Sequence, residues 1–158
     1  MADRMRFVYR NLNADDLRGS SVAELLVNVE ANLQIIDDGR VIYEERAFPV
    51  LELARELVGW TQSACAEERD FEFVSLSFEE TGAVRIRRSS EGWLVGSVFE
   101  PELVSRPIRW KELSEAVNSL AANLRRDLGQ LGIGAWLIPD LSMRGEREVT
   151  VPQAEIVM

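Results

Sequence analysis

Residues Phe71 to Phe99 read FEFVSLSFEETGAVRIRRSSEGWLVGSVF, three strand-like runs parted by two short turns. The first turn falls at Glu80-Thr81-Gly82 and the second at Ser90-Glu91-Gly92. A glycine in each supplies the positive φ that a tight hairpin needs. With Glu80 to Gly82 as a three-residue loop, Val74, Leu76 and Phe78 fall opposite Arg88, Ile86 and Val84. Phe73, Ser75 and Ser77 then share the other face with Arg85 and Arg87. One apolar face and one mixed face is the pattern of a half-buried antiparallel meander.

Toward the N-terminus, Pro49 stands where a helix can start. From Val50 the apolar period becomes helical, with Val50, Leu53, Ala54, Leu57, Val58 and Thr61 on one stripe and Glu52, Arg55, Glu56 and Gln62 off it. This helix is expected to reach about Ala66, before the charged connector Glu67 to Asp70. Upstream, Leu25 to Ile36 alternate with period two over twelve residues, which reads as a strand. Asp37-Asp38-Gly39-Arg40 turns the chain and Val41-Ile42-Tyr43 returns it. Arg6 to Arg10 is a short edge strand, and Asn13 caps a single helical turn ending at Gly19.

Toward the C-terminus, Glu100-Pro101-Glu102 ends the meander, and Leu103 to Ile108 form a short irregular strand. A second helix begins near Trp110, its stripe formed by Leu113, Ala116, Val117, Leu120, Leu124, Leu128 and Leu131. Gly129 and Gly132 are candidate stops. The order is β-β-α-β-β-β-α. It implies an α+β fold, an antiparallel sheet of about five to six strands with two helices packed on one face. Residues 1–132 form the single domain and 133–158 a C-terminal extension, either a docked arm or a mobile tail.

The chain has 158 residues, enough for a core without disulfides or metals. Lys plus Arg is 18 and Asp plus Glu is 27, a net charge of −9. Such a chain is a poor direct binder of nucleic acid, which needs positive charge to displace counterions, but it suits a basic partner. Lys111 is the only lysine and Cys65 the only cysteine, so no internal disulfide can form. No apolar run approaches the roughly 20 residues of a membrane helix, and no signal-peptide pattern opens the chain. The expected location is cytoplasmic.

Without histidine, Ser-His-Asp and Cys-His chemistry and histidine zinc sites are excluded. Cys65 reads as a small packing residue. Gly129 to Gly134 follow a helix with the wrong spacing for a phosphate loop. Asn11 to Val22 lack the glycine and the final glutamate of a calcium loop. The adjacent acids Glu44-Glu45, Glu67-Glu68 and Glu79-Glu80 fall at element ends and read as solvated charges. Neither a catalytic residue nor a cofactor or metal site is expected.

Two surfaces remain as candidate binding sites. One is the mixed face of the meander: Phe71, Phe73, Arg85 and Arg87, joined by Trp93, Val95 and Phe99 for one length of the turn at Ser90 to Gly92. Aromatics interleaved with arginine are typical of protein hot spots. The other is the acid cluster Glu67, Glu68, Asp70, Glu72, Glu79 and Glu80 near one meander edge, where a basic partner could dock.

Leu25 to Glu30, Ile36 to Glu45, Pro49 to Leu57, Phe71 to Phe78 and Ile86 to Phe99, with the Glu91-Gly92-Trp93 and Gly96-Ser97 elements, resemble a family of small uncharacterised bacterial domains from high-GC genomes. The resemblance covers about residues 6–132 and brings no catalytic residues. In size, charge and architecture the chain is also similar to the immunity proteins of bacterial toxin systems. The expected function is therefore a non-catalytic protein-binding module, most concretely an immunity-type inhibitor occluding a basic toxin domain. The alternative is an assembly subunit that binds neighbours, copies of itself included, through the C-terminal extension or the edge strand Phe7-Val8-Tyr9. A small-ligand carrier or carboxylate hydrolase ranks third.

Overall fold

The computed structural model describes residues 4–19, 21–63, 69–134 and 138. Its first sheet is β1 (Arg6–Asn13), β2 (Glu30–Asp37) and β3 (Arg40–Phe48), antiparallel in that order, with α1 (Val22–Asn28) between β1 and β2 in the chain. Asp38 and Gly39 both take positive φ, 55° and 79°, the left-handed pair of a two-residue hairpin turn. The alternation of β2 then decides the faces: Ala31, Leu33 and Ile35 are buried, while Asn32, Gln34 and Ile36 lie on the other side.

α2 (Val50–Gln62) follows directly, and its stripe Val50, Leu53, Ala54, Leu57 and Val58 is buried as the period requires. The second sheet is β4 (Phe71–Glu72), β5 (Arg85–Ser89) and β6 (Gly92–Gly96), again antiparallel in chain order. Isolated bridges Trp93–Ile108 and Gly96–Val104 extend it irregularly, as expected for 103–108. α3 (Trp110–Gln130) packs on α2 and touches both β1 and β6. Its stop is at Gly132, where Gly132 N–H bonds Gly129 O and Ile133 N–H bonds Leu128 O. One core runs through both sheets and the helices. Trp60 of α2 ties it together, its ring 5.5 Å from Phe71, 5.5 Å from Trp93 and 5.2 Å from Trp110.

The fold is α+β, as the element pattern implies, but with corrections. The single sheet of five to six strands is two three-stranded sheets, and there are three helices among the described residues. The start of the period-two run, Leu25 to Asn28, is α1, not strand. Ser21 caps it, its Oγ accepting the Glu24 N–H at 3.1 Å, in the Ser-x-x-Glu spacing of a helix start. Asn13 ends β1 instead of capping a helix; its Oδ1 accepts the Asp15 N–H. Glu52, expected at the solvated side of α2, is buried. α2 ends at Gln62, where Ser63 is already extended, short of the expected Ala66. Cys65 and most of the 133–158 extension lie outside the described residues.

Candidate functional site: an aromatic surface ringed by carboxylates

The meander register differs from the sequence reading. Phe71 pairs with Ile86 and Glu72 with Arg85, and Phe73 N–H bonds Val84 O at 2.9 Å. The connection between the first two strands is thus the long segment 74–83. A changed register moves side chains between faces. Phe71 and Phe73 join Ile86 and Val95 in the core, and Arg85 and Arg87 point the other way. Trp93 is also buried and sits opposite Arg88, whose guanidinium lies 5.8 Å from its ring centroid. The expected aromatic-arginine face therefore does not form.

The acid cluster is divided. Asp70 and Glu72 stand beside arginine-bearing β5, and Asp70 Oδ1 accepts the Arg88 N–H at 3.0 Å. Glu79 and Glu80 are exposed within the 74–81 loop, closed by the Gly82 N–H to Phe73 O bond. Glu67 and Glu68 lie outside the described residues.

Phe99, a conditional member of the expected mixed face, instead meets Phe78, in a grouping that the sequence reading did not make. The Phe78 ring lies 5.5 Å from buried Phe48 and 6.0 Å from Phe99, which stacks on Tyr43 at 6.5 Å. Phe99 stays 40% exposed, and Leu103 and Val104 are exposed after it. Glu79, Glu100 and Glu102, immediate chain neighbours of these apolar residues, are exposed, as is Glu80. Val74 and Leu76 of the same loop are 62% and 65% exposed.

The surface is held in place from below. Buried Glu52 accepts the Ser75 hydroxyl at 2.7 Å and the Leu76 N–H at 3.0 Å. Ser97 Oγ accepts the Phe99 N–H, and Glu100 O accepts the Leu103 N–H. Arg40 donates to Val104 O at 2.9 Å, fixing that segment to β3. The Tyr43 hydroxyl donates to Glu45 at 3.1 Å; burial first, then the Glu45 charge, raises its pKa, and Glu100 adds to the rise. The legible signal was the run Phe99 to Val104, where apolar residues alternate with acids after the last strand.

Concavities also lie elsewhere on the described residues. One of about 480 Å³ lies on the open face of the first sheet by Arg10, Asn32, Gln34, Glu44 and Arg46. Another of about 280 Å³ separates β1 from α3. Among the described residues, no three potential metal ligands cluster, and no helix is long and apolar enough to cross a membrane.

The molecule is thus an α+β domain of two small antiparallel sheets on a helix pair, with a pinned apolar-acidic surface at one end. The chain belongs to a family described as a domain of unknown function (DUF7878), whose model matches residues 5–130. That match carries no statement about toxin immunity or about the genomes in which the family occurs. Neither the curated proteins nor the solved structures compared with the chain include a match.

Proposed function

We propose that this chain is a non-catalytic protein-binding module, most concretely an immunity-type inhibitor that occludes a basic toxin domain. The observation that carries the reading is the exposed Phe99 against Phe78, with exposed Leu103 and Val104 following in the chain and exposed Glu79, Glu80, Glu100 and Glu102 beside them in sequence. An apolar centre with a charged rim is the anatomy of a protein interface, and a buried aromatic anchor gives most of the affinity. Four exposed glutamates accompany the apolar residues, against the exposed cation Arg40 bonded to Val104 O, and the whole chain is at −9. This favours a partner with a basic rim and speeds encounter with it.

The test uses the full chain as bait in a lysate of its source organism, in parallel with Phe99→Ala and with a Glu100→Lys, Glu102→Lys variant. The expected result is a basic partner, identified by mass spectrometry, that both variants fail to hold. Its binding to the wild type should slow steeply with added salt. Identical capture by all three baits rejects the reading. Co-expression that leaves the partner's toxicity unrelieved rejects the inhibitor form of it.

A further inference from the structure

A second, independent surface lies at the free edge of β1. In the first sheet β1 pairs only with β2, so its other side is unpaired. The direction of its backbone groups follows from two observations. The Met5 N–H points away from β2 to Glu112 of α3, at 2.9 Å. The Asp38-Gly39 turn makes Asp37–Arg40 the narrow closing pair, so Asp37, Ile35 and Leu33 bond toward β3, and Ile36, Gln34 and Asn32 toward β1. Arg6, Val8 and Arg10 then bond β2, and the N–H and C=O groups of Phe7 and Tyr9 face outward. None of these outward groups is bonded to a described residue.

The edge faces a cleft, not open solvent alone. The strand segment 4–8 forms one wall, and the helical stripe Glu112, Glu115, Ala116, Ser119 and Asn123 of α3 forms the other, around about 280 Å³. Ala116 and Ser119 are the small residues of that wall, and its two acids are engaged, Glu115 with Arg4 and Glu112 with the Met5 N–H and Arg106. On the sheet's open face, Arg6 and Arg10 are exposed and flank half-buried Val8. Neither arginine has an ion-pair partner among the described residues.

We propose that this edge takes an extended acidic segment of a partner protein as a further antiparallel strand, with a carboxylate opposite Arg6, an apolar residue opposite Val8 and a carboxylate opposite Arg10. Main-chain bonds to Phe7 and Tyr9 supply the affinity, and the alternate side chains supply the selectivity. A second copy of this chain is disfavoured as the occupant. Antiparallel β1-on-β1 pairing about Val8 sets Arg6 against Arg10 twice, and like charges directly opposite are destabilising.

The test measures fluorescence anisotropy of a labelled peptide with the core Glu-Thr-Val-Thr-Glu against one with Lys-Thr-Val-Thr-Lys, using the full chain at low salt. The glutamate peptide is expected to bind at least about ten-fold tighter, an effect of charge complementarity. Amide exchange at Phe7 and Tyr9 should slow on binding, with residues 98–104 unaffected. In the Arg6→Glu, Arg10→Glu double variant, whose changes are both at the surface, the preference should invert. The proposal is overturned by equal binding of the two peptides, by no saturable binding of either, by an unchanged preference in the double variant, or by protection at residues 98–104 instead of at the edge.

Discussion

Arg106 clamps Asp37, joining the end of β2 to the segment that leaves the second sheet. The Asp37 side chain is wholly buried; its Oδ1 accepts Nε and Nη2 of Arg106 at 2.9 and 2.8 Å, and its Oδ2 accepts the Arg106 main-chain N–H at 2.7 Å. The same guanidinium reaches Glu112 in the first turn of α3 at 3.2 Å, and Glu112 holds the Met5 N–H. The hydrogen bond to Asp37 is the main cause that raises the Arg106 pKa. A buried carboxylate is tolerated because its acceptor positions are filled.

The clamp should respond unequally to its two halves. Arg106→Ala leaves Asp37 buried without its counter-charge and is expected to lose about 2–3 kcal/mol in urea unfolding. This is below the loss for a fully buried pair, because the guanidinium is half exposed and screened. Asp37→Asn keeps an acceptor for the main-chain N–H and should lose only about 1 kcal/mol. The reverse order would mean that the pair is not what closes this joint.

Glu52 ties the loop under the aromatic surface to α2. Glu52→Ala leaves the Leu76 N–H and the Ser75 hydroxyl without their acceptor and should cost about 1–3 kcal/mol. Faster amide exchange at Leu76 is the specific readout. If exchange there is unchanged while global stability falls, the loop is held by something else.

At Gly92 the chain passes under another strand. Its φ is +147°, and an added Cβ would sit 2.9 Å from Ile108 N and 3.0 Å from Ile108 O. Those backbone atoms are fixed by two Trp93–Ile108 hydrogen bonds, at 2.8 and 2.9 Å. Gly92→Ala should lower stability by about 1–3 kcal/mol. Gly59→Ala in α2, with nothing within 4 Å, should raise it by roughly 0.5–1 kcal/mol. Thermal melts of the pair give the comparison, and a harmless Gly92→Ala would refute the crossing.

Alkaline pH should unfold the protein through its tyrosines. The chain has 2, Tyr9 and Tyr43. Burial is the first cause raising each, followed for Tyr9 by its 2.6 Å bond to Asp127 and for Tyr43 by the charge of Glu45. The unfolded value is about 10. A folded pKa above the unfolded one gives stability that is complete below pH of about 10 and is lost as pH rises toward the folded values. Tyrosinate absorbance should therefore stay flat through pH 10 and appear together with loss of circular dichroism. Ionisation of either tyrosine near its ordinary value, with the fold intact, would contradict this.

The two long helices and the Asp38-Gly39 hairpin were legible because each rests on local rules. Leu113, Ala116, Val117, Leu120, Leu124 and Leu128 repeat at helical spacing and are buried where the period places them. α1 was hidden because Leu25, Leu26 and Val27 satisfy either period, and only the Ser21-x-x-Glu24 cap decides for helix. Of the candidate surface only the Phe99 to Val104 run was legible; Phe78 and Phe99 are far apart in sequence, and their contact is made only by the tertiary fold.

By itself the sequence determined the α+β class, the acidic charge, the apolar stripes of the two long helices and the first hairpin, since these follow from composition and from neighbours a few residues away. Only the tertiary structure decided that Phe71 and Phe73 turn inward, that Glu52 and Asp37 are buried, and that Phe99 meets Phe78 among carboxylates. Strand register and the docking of loops are fixed by contacts between distant residues, and a shift of one position in register reverses which face every side chain occupies.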